Sequence, residues 1–213
     1  MAKREREAMD LNRQQRSSHR RRRLTQVACL TVCLGLAIAQ PAGAAEAPAD
    51  LAHGEIQVST RPHPTTSVRW GRAIAVVDAP IERVMNVVSD YGSYQEFMPH
   101  FRTSKVLAQR NGSALVYMEA RIAKDTLTVW AQLKIRPQEQ ADKKIVEASM
   151  TKGNLDHMEA RWEVSPLSGD RSLVAFEILV DPKVPFPSGL VSTENEKASK
   201  RTLRALRERL ARR

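Results

Sequence analysis

The stretch "VVDAPIERVMNVVSDYGSYQEFMPHF", from Val76 to Phe101, decides the fold of this chain. An extended segment ends near Val77, and Pro80 then stands where the first turn of a helix accepts proline. Apolar residues follow at the spacing of one helix face, at Ile81, Val84, Met85 and Val88. Ser93 and Glu96 stand three residues apart, as in a capping box that opens a second, very short helix. The stretch therefore predicts two short helices placed directly after a strand.

Extended segments lie on both sides of this stretch. Upstream, a short strand is predicted at Glu55–Ser59, and residues 68–77 form a longer one. One face of the longer strand carries Val68, Trp70, Ile74 and Val76. Downstream, Asn111-Gly112 is a strong hairpin signal within a train of six segments: "TSKVLAQ", "ALVYMEARI", "LTVWAQLKI", "KIVEASM", "HMEARWEV" and "LVAFEILV". Half-buried strands joined by short turns indicate an antiparallel sheet with one face in water.

The chain ends in a segment predicted as one long helix, which begins after Pro185 and Pro187. Its apolar stripe consists of Leu203, Leu206 and Leu210. The smaller polar residues Ser192, Asn195 and Ser199 precede them at the same helical spacing and extend the stripe to six positions. Another face is basic and carries Lys197, Lys200, Arg201 and Arg204. We therefore expect the stripe to face the sheet and the basic side to face solvent.

This order of elements predicts an α+β fold. A curved antiparallel sheet wraps around the long C-terminal helix, which is the only element long enough to cover the concave face of the sheet. The two short helices after the first long strand close one end. Because a curved sheet and a straight helix cannot touch along their whole lengths, we expect a cavity between them.

The N-terminal segment is typical of a secretory signal peptide. Arg20–Arg23 precede the 16-residue run Leu24–Ala39, and the small residues Ala42–Ala44 follow. Both cysteines, Cys29 and Cys33, lie inside this run, so the mature domain has neither a disulfide nor a thiolate metal site. We predict a signal peptide at 1–44, a linker at 45–66 and a ligand-binding domain at 67–213, with export to the periplasm. An uncleaved N-terminal membrane anchor is the alternative.

The net charge of +10 is concentrated at the two ends of the chain. Residues 1–44 hold nine Lys/Arg against three Asp/Glu, and residues 188–213 hold eight against three, so the remainder carries about −1. Nucleic-acid binding is not expected, because much of the basic excess lies in the signal segment and aromatic–basic interleaving is absent. The basic final helix predicts peripheral contact with an anionic membrane, and a solvated face is the alternative.

Two motifs of this sequence, and the order of its elements, resemble those of the START-like (SRPBCC, helix-grip) superfamily. Within that superfamily the resemblance is to the coenzyme Q-binding and polyketide cyclase/dehydrase group. "AVVDAPIERVMNVVSDYGSYQEFMPHF" is similar to the family's entry motif, and "FEILVDPKVPFPSGLV" before a basic helix is similar to its exit. The resemblance covers about residues 68–211. It implies a cavity for a hydrophobic ligand but does not identify the ligand, because this fold hosts several functions.

The expected cavity and lid residues lie on the inner faces of strands and in loops. An apolar side chain in a loop is unusual, so we expect those in these loops to contact the ligand. The expected cavity and lid residues are Phe97, Met98, Pro99, Met118, Trp162, Phe176, Phe186 and Leu190. For Trp162 and Phe176 the alternative is ordinary core packing. The resemblance implies that the two short helices form a lid over the cavity mouth.

Catalytic and metal-binding patterns are absent from the sequence after the signal segment. We expect no metal and no cofactor, and His100, beside Pro99, is expected to be structural because no orienting carboxylate accompanies it. The sequence favours non-covalent binding of a hydrophobic small molecule, such as a lipid or isoprenoid quinone, as a carrier or chaperone. One alternative is a cyclase/dehydrase-type enzyme acting on an aromatic or polyketide-like substrate. Another is a protein-interaction module that uses Trp130 and the basic helix.

Overall fold

The computed structural model describes residues 51, 54–122, 126–168 and 170–212. The predicted signal peptide and its predicted cleavage site lie outside the described residues. The elements in chain order are β1 (Gln57–Arg61), β2 (Trp70–Val77), α1 (Ile81–Ser89), a 3₁₀ turn (Tyr91–Ser93), α2 (Tyr94–Phe97), β3 (Phe101–Arg110), β4 (Ser113–Ile122), β5 (Leu127–Gln140), β6 (Lys143–Gly153), β7 (Leu155–Leu167), β8 (Arg171–Pro182) and α3 (Ser188–Ala211). Within the described ranges, no helix has the length and hydropathy that a bilayer span requires.

The strands form one antiparallel sheet in the order β1-β2-β8-β7-β6-β5-β4-β3. Asn111 and Gly112 have φ values of 51° and 75°, so they make the two-residue turn with positive φ that the sequence predicts between β3 and β4. Shifts of register interrupt the ladders of β3, β5 and β7 and bend the strands. The predicted α+β helix-grip architecture, a curved sheet around a long C-terminal helix, is confirmed.

Helix α3 lies against the inner faces of β2 and β8, and its small polar residues allow a very close approach. The Asn195 amide nitrogen donates to the carbonyl oxygens of Arg69 and Val180, both at 3.2 Å, and its oxygen accepts from the Val180 N–H at 3.2 Å. The Ser192 hydroxyl accepts from the Arg69 N–H at 2.9 Å. All six predicted stripe positions, from Ser192 to Leu210, are buried, as expected.

Strand β2 turns its small residues toward α3. Gly71, Ala73, Ala75 and Val77 alternate along that face, while the larger side chains point to the opposite side of the sheet. There Trp70 packs with Val68 and Leu179, and Val76 packs with Leu51. Because the side chains on the inner face of β2 are small, α3 can pack closely against this side of the sheet.

Much of the segment predicted as a linker belongs to the domain. Gln57–Arg61 pairs with β2 as an edge strand, and Leu51 is only 2% exposed. The Arg207 guanidinium of α3 donates to the carbonyl oxygens of Gly54 and Val76, both at 2.6 Å. Burial lowers the pKa of Arg207 from its ordinary value. These contacts hold the segment against the end of β2.

The capping box predicted from Ser93 and Glu96 does not form. Ser93 precedes α2 without a side-chain capping bond. The Glu96 carboxylate instead accepts a bond of 2.9 Å from Arg209 of α3. A tertiary ion pair therefore takes the carboxylate that the local motif would have used.

Candidate functional site

A cavity lies on the concave side of the sheet, where α3 does not cover the strands. Helix α3 rests on β2 and β8, so the inner faces of β4 to β7 remain partly free, and the segment from Tyr91 to Met98 closes one end. The lining residues are Tyr91, Tyr94, Met98, Phe101, Met118, Leu133, Ile135, Val146, Ala148, Met158, Ala160, Trp162, Phe176, Ile178 and Thr202. The cavity therefore arises from the mismatch between a curved sheet and a straight helix.

The volume of the cavity is about 60 Å³. Small-molecule sites occupy roughly 300–1,000 Å³, so this cavity is smaller than such sites. The space is narrow, and a long-chain ligand must widen it. The lining includes three methionines, Met98, Met118 and Met158. Their unbranched thioether side chains adapt their shape readily, so they can move aside when a ligand widens the cavity.

Four of the eight predicted site residues lie together in this lining: Met98, Met118, Trp162 and Phe176. Trp162 and Phe176 face each other across β7 and β8, with ring centroids 4.2 Å apart. Met98, just after α2, is buried, and its backbone N–H donates to the Tyr94 carbonyl oxygen at 2.8 Å. These residues belong to the hydrophobic core as well as to the cavity wall.

Two predicted lid residues lie beside the cavity without lining it. The Phe97 ring packs edge-on against Tyr94, and the Arg209 guanidinium lies 5.4 Å from the Phe97 ring centroid. Pro99 is half-buried in the turn after α2. Phe97 and the Glu96–Arg209 ion pair thus connect α2 to the C-terminal part of α3.

Phe186 and Leu190, which were also predicted as cavity or lid residues, are not among the residues that line this cavity. Phe186 is 46% exposed and Leu190 is 55% exposed, in the turn before α3 and in its first turn. Leu190 lies on the helix face opposite Ser192 and Asn195, which are bound to the sheet. That anchoring turns Leu190 toward solvent.

Sequence reasoning missed several lining residues, among them Tyr91, Tyr94, Phe101, Met158 and Thr202. Met158 shares its alternating strand face with Trp162, so the pattern that selected Trp162 also indicated Met158. Tyr94 lies within the quoted entry stretch. Nothing in the sequence marked Thr202 as a lining residue, because a polar residue beside the buried Leu203 is ordinary at the edge of the apolar stripe of a helix.

The phenol groups of the lining are held by neighbours and remain protonated at neutral pH. The Tyr94 hydroxyl donates to the Val88 carbonyl oxygen at 2.6 Å, and the nearby Trp162 indole tends to lower the pKa of this phenol. Burial, reinforced by the proximity of Tyr91, raises the pKa of Tyr94 far above its ordinary value. Burial also raises the pKa of Tyr91, and a hydrogen bond from Ser89 opposes this shift.

The described residues that line the cavity include no carboxylate, imidazole, amine, guanidinium or thiol. Across the same described part of the chain, no group of three or more His, Cys, Asp and Glu residues is arranged to hold a metal ion. His100 lies outside the lining, is exposed and has a φ of 67°. The arrangement can enclose an apolar molecule, and its wall offers no acid–base pair.

The surfaces considered for partners are partly occupied by contacts within the chain. Trp130 is half-buried and stacks on Tyr117, with ring centroids 6.0 Å apart. On the basic face of α3, Lys197 and Arg201 pair with Glu194 at 3.0 and 3.7 Å. Contact with an anionic membrane stays a prediction.

The sequence profile of one protein family, described as polyketide cyclase/dehydrase and lipid transport, matches residues 77–207. The match spans more than half of the 213-residue chain and runs from the end of β2 into the last turns of α3. It therefore includes all 15 residues that line the cavity. No curated protein matches this chain in sequence.

Solved structures with the same fold include lipid transfer proteins and a cyclase. A STAR-related lipid transfer protein from Xanthomonas axonopodis is 18% identical, with 74% of this chain and 94% of that chain covered and a TM-score of 0.66. Human StAR-related lipid transfer protein 5 is 13% identical, with 81% and 88% covered and a TM-score of 0.66. The Zhui aromatase/cyclase from a Streptomyces species is 16% identical, with 68% and 94% covered and a TM-score of 0.51. At these identities the likeness concerns the fold alone.

Proposed function

Because the chain belongs to the polyketide cyclase/dehydrase and lipid transport family, we propose that it binds a hydrophobic small molecule non-covalently and acts as its carrier. The observation that carries the proposal is the cavity wall, which is built from aromatic, aliphatic and methionine side chains. A lipid or an isoprenoid quinone is the ligand class we favour. Lipid transfer proteins share this fold, and that likeness supports the proposal.

The binding energy available to such a ligand is sufficient without a catalytic group. Burial of about 300 Å² of apolar ligand surface contributes roughly 7 kcal/mol before the costs of association. The cyclase/dehydrase alternative requires groups that move protons. Since the described lining has no group that titrates near neutral pH, it supports binding more strongly than catalysis.

Filling the cavity is expected to remove the ligand and leave the fold intact. Ala148 and Ala160 lie opposite each other on β6 and β7 and both line the cavity. Ala148→Phe adds an aromatic ring to this space, whereas Ser149→Phe, the matched control, places the same ring on the other face of β6. Native mass spectrometry of the purified proteins should detect a co-purified small molecule with the wild type and Ser149→Phe but not with Ala148→Phe.

Two results would contradict the proposal. One is a wild-type protein that carries no small molecule and takes up no apolar probe such as naphthalene. The other is an Ala148→Phe variant that retains as much ligand as the control. Circular dichroism melting curves establish that each variant is folded.

We also propose that the chain is exported and that its carrier activity takes place in the periplasm. The order of Arg20–Arg23, the apolar run and Ala42–Ala44 supports this proposal. N-terminal sequencing of protein from the periplasmic fraction should begin at Ala45 or Glu46. An intact Met1 in the membrane fraction would instead establish the N-terminal anchor.

A further inference from the structure

The cavity wall contains few groups that can form hydrogen bonds. Among the described lining residues, nitrogen or oxygen atoms in side chains occur at Tyr91, Tyr94, Trp162 and Thr202. The Tyr94 hydroxyl donates to the Val88 carbonyl oxygen at 2.6 Å. The Trp162 indole lies beside the Tyr94 hydroxyl, and the Ser89 side chain lies beside the Tyr91 hydroxyl, close enough to influence the pKa of each phenol. Three of the four groups therefore have a polar neighbour within the protein itself.

Thr202 differs from the other hydroxyl residues of α3 that follow its first residue, Ser188. Hydroxyl groups in helices usually donate to a carbonyl one turn earlier. Ser192, Thr193 and Ser199 do so, to the carbonyl oxygens of Ser188, Gly189 and Glu196, at 2.7, 3.0 and 2.7 Å. No atom of the described residues is hydrogen-bonded to the Thr202 hydroxyl. This group lies in the cavity wall and is free to bind a ligand.

Charge restricts the ligand further. The described lining residues carry no ionic group, and both phenols remain protonated. A charged ligand group placed among them would lose its hydration without gaining a counter-charge, which is strongly unfavourable. A neutral polar group costs far less if it forms one hydrogen bond.

Building on the proposed function, we propose that the cavity selects an uncharged ligand that hydrogen-bonds through a hydroxyl or carbonyl group to the Thr202 hydroxyl. A threonine hydroxyl both donates and accepts, so it suits either group. The rest of the ligand is apolar and lies among Met118, Trp162 and Phe176. The ligand class is thus a neutral alcohol, ketone or quinone with a bulky hydrocarbon body, and not a fatty acid or another anion.

Three naphthalene probes of similar size test this selection by isothermal titration calorimetry at neutral pH. Naphthalene has no polar group, 2-naphthol adds a neutral hydroxyl, and 2-naphthoate adds a charge. Wild-type protein should bind 2-naphthol about 2- to 10-fold more tightly than naphthalene, as one net hydrogen bond allows. It should bind 2-naphthoate at least about tenfold more weakly than 2-naphthol.

Substitutions at Thr202 measure the contribution of its hydroxyl group to binding. Thr202→Val keeps the shape of the side chain, and should abolish the preference for 2-naphthol while leaving the affinity for naphthalene unchanged. Thr202→Ser should restore the preference. Thr193→Val on the exposed side of the same helix is the control, and should bind all three probes like the wild type.

The outcomes separate this inference from the proposed function. If naphthalene and 2-naphthol both fail to bind to the wild type, the apolar cavity does not bind small molecules and the proposed function fails. If both bind and Thr202→Val retains the full preference for 2-naphthol, the assignment of Thr202 is wrong. Equal affinity for 2-naphthoate and 2-naphthol would overturn the selection against charge.

Discussion

Leu206→Asp is expected to unfold the domain. Leu206 is 0% exposed and lies in the main core between α3 and the sheet, together with Leu203 and Val77. A carboxylate at this position has no counter-charge, and its burial costs several kcal/mol, which is comparable with the whole stability of roughly 5–15 kcal/mol. Far- and near-ultraviolet circular dichroism should show loss of cooperative unfolding, and the protein should become poorly soluble.

Arg204→Asp provides the matched control for this variant. Arg204 is exposed on the same helix, two residues earlier, so the change in charge there should alter the free energy of unfolding by only about 0.5 kcal/mol. A Leu206→Asp protein that unfolds cooperatively with a wild-type midpoint would show that α3 is an appendage. The explanation of the cavity as the space left under α3 would then fail.

Gly71→Ala is expected to lower the free energy of unfolding by about 3 kcal/mol or more. A Cβ atom at Gly71 would lie 2.1 Å from the backbone carbon and oxygen of Asn195, far inside van der Waals contact. Both partners are backbone atoms of regular elements, so neither can move aside as a side chain does. Core overpacking typically costs about 1–3 kcal/mol, and this contact belongs at the upper end or beyond it.

Gly189→Ala is the control for this effect. Gly189 lies in the first turn of the same helix, and a Cβ there would meet nothing within 4 Å. It should be neutral or stabilise the protein by up to about 1 kcal/mol, because alanine favours the helix. Urea denaturation compares the two variants, and equal midpoints would mean that α3 does not approach β2 as closely as the structure indicates.

Most of the regular elements were predictable because each has a local pattern. The α1 stripe, the Asn111-Gly112 turn and the alternating strands after it all occur where their periodicity places them. The six-residue stripe of α3 was also correct, including the polar Asn195. In each case burial on one side of an element imposes a repeat that can be recognised without knowledge of its neighbours.

The candidate site was predictable only in part. Met118, Trp162 and Phe176 were identified by strand alternation, and Met98 by its position in an apolar loop. Phe186 was assigned by the same loop argument, but it is exposed. A loop residue has no periodicity, so its burial depends on which element happens to pack over it.

Strand β2 shows where local patterns stop being sufficient. Both of its faces are apolar, and the face with the larger side chains, Trp70 and Val76, is the one that turns away from the helix. The alternation predicts two faces but does not choose between them. The choice follows from Gly71 and Asn195, which lie more than a hundred residues apart and meet only when the sheet has folded under α3. The alternation of the strands and the apolar stripe of α3 can therefore be predicted from the sequence. The side of the sheet that α3 leaves open for a ligand depends instead on how closely the backbones of β2 and α3, which are far apart in the chain, can pack.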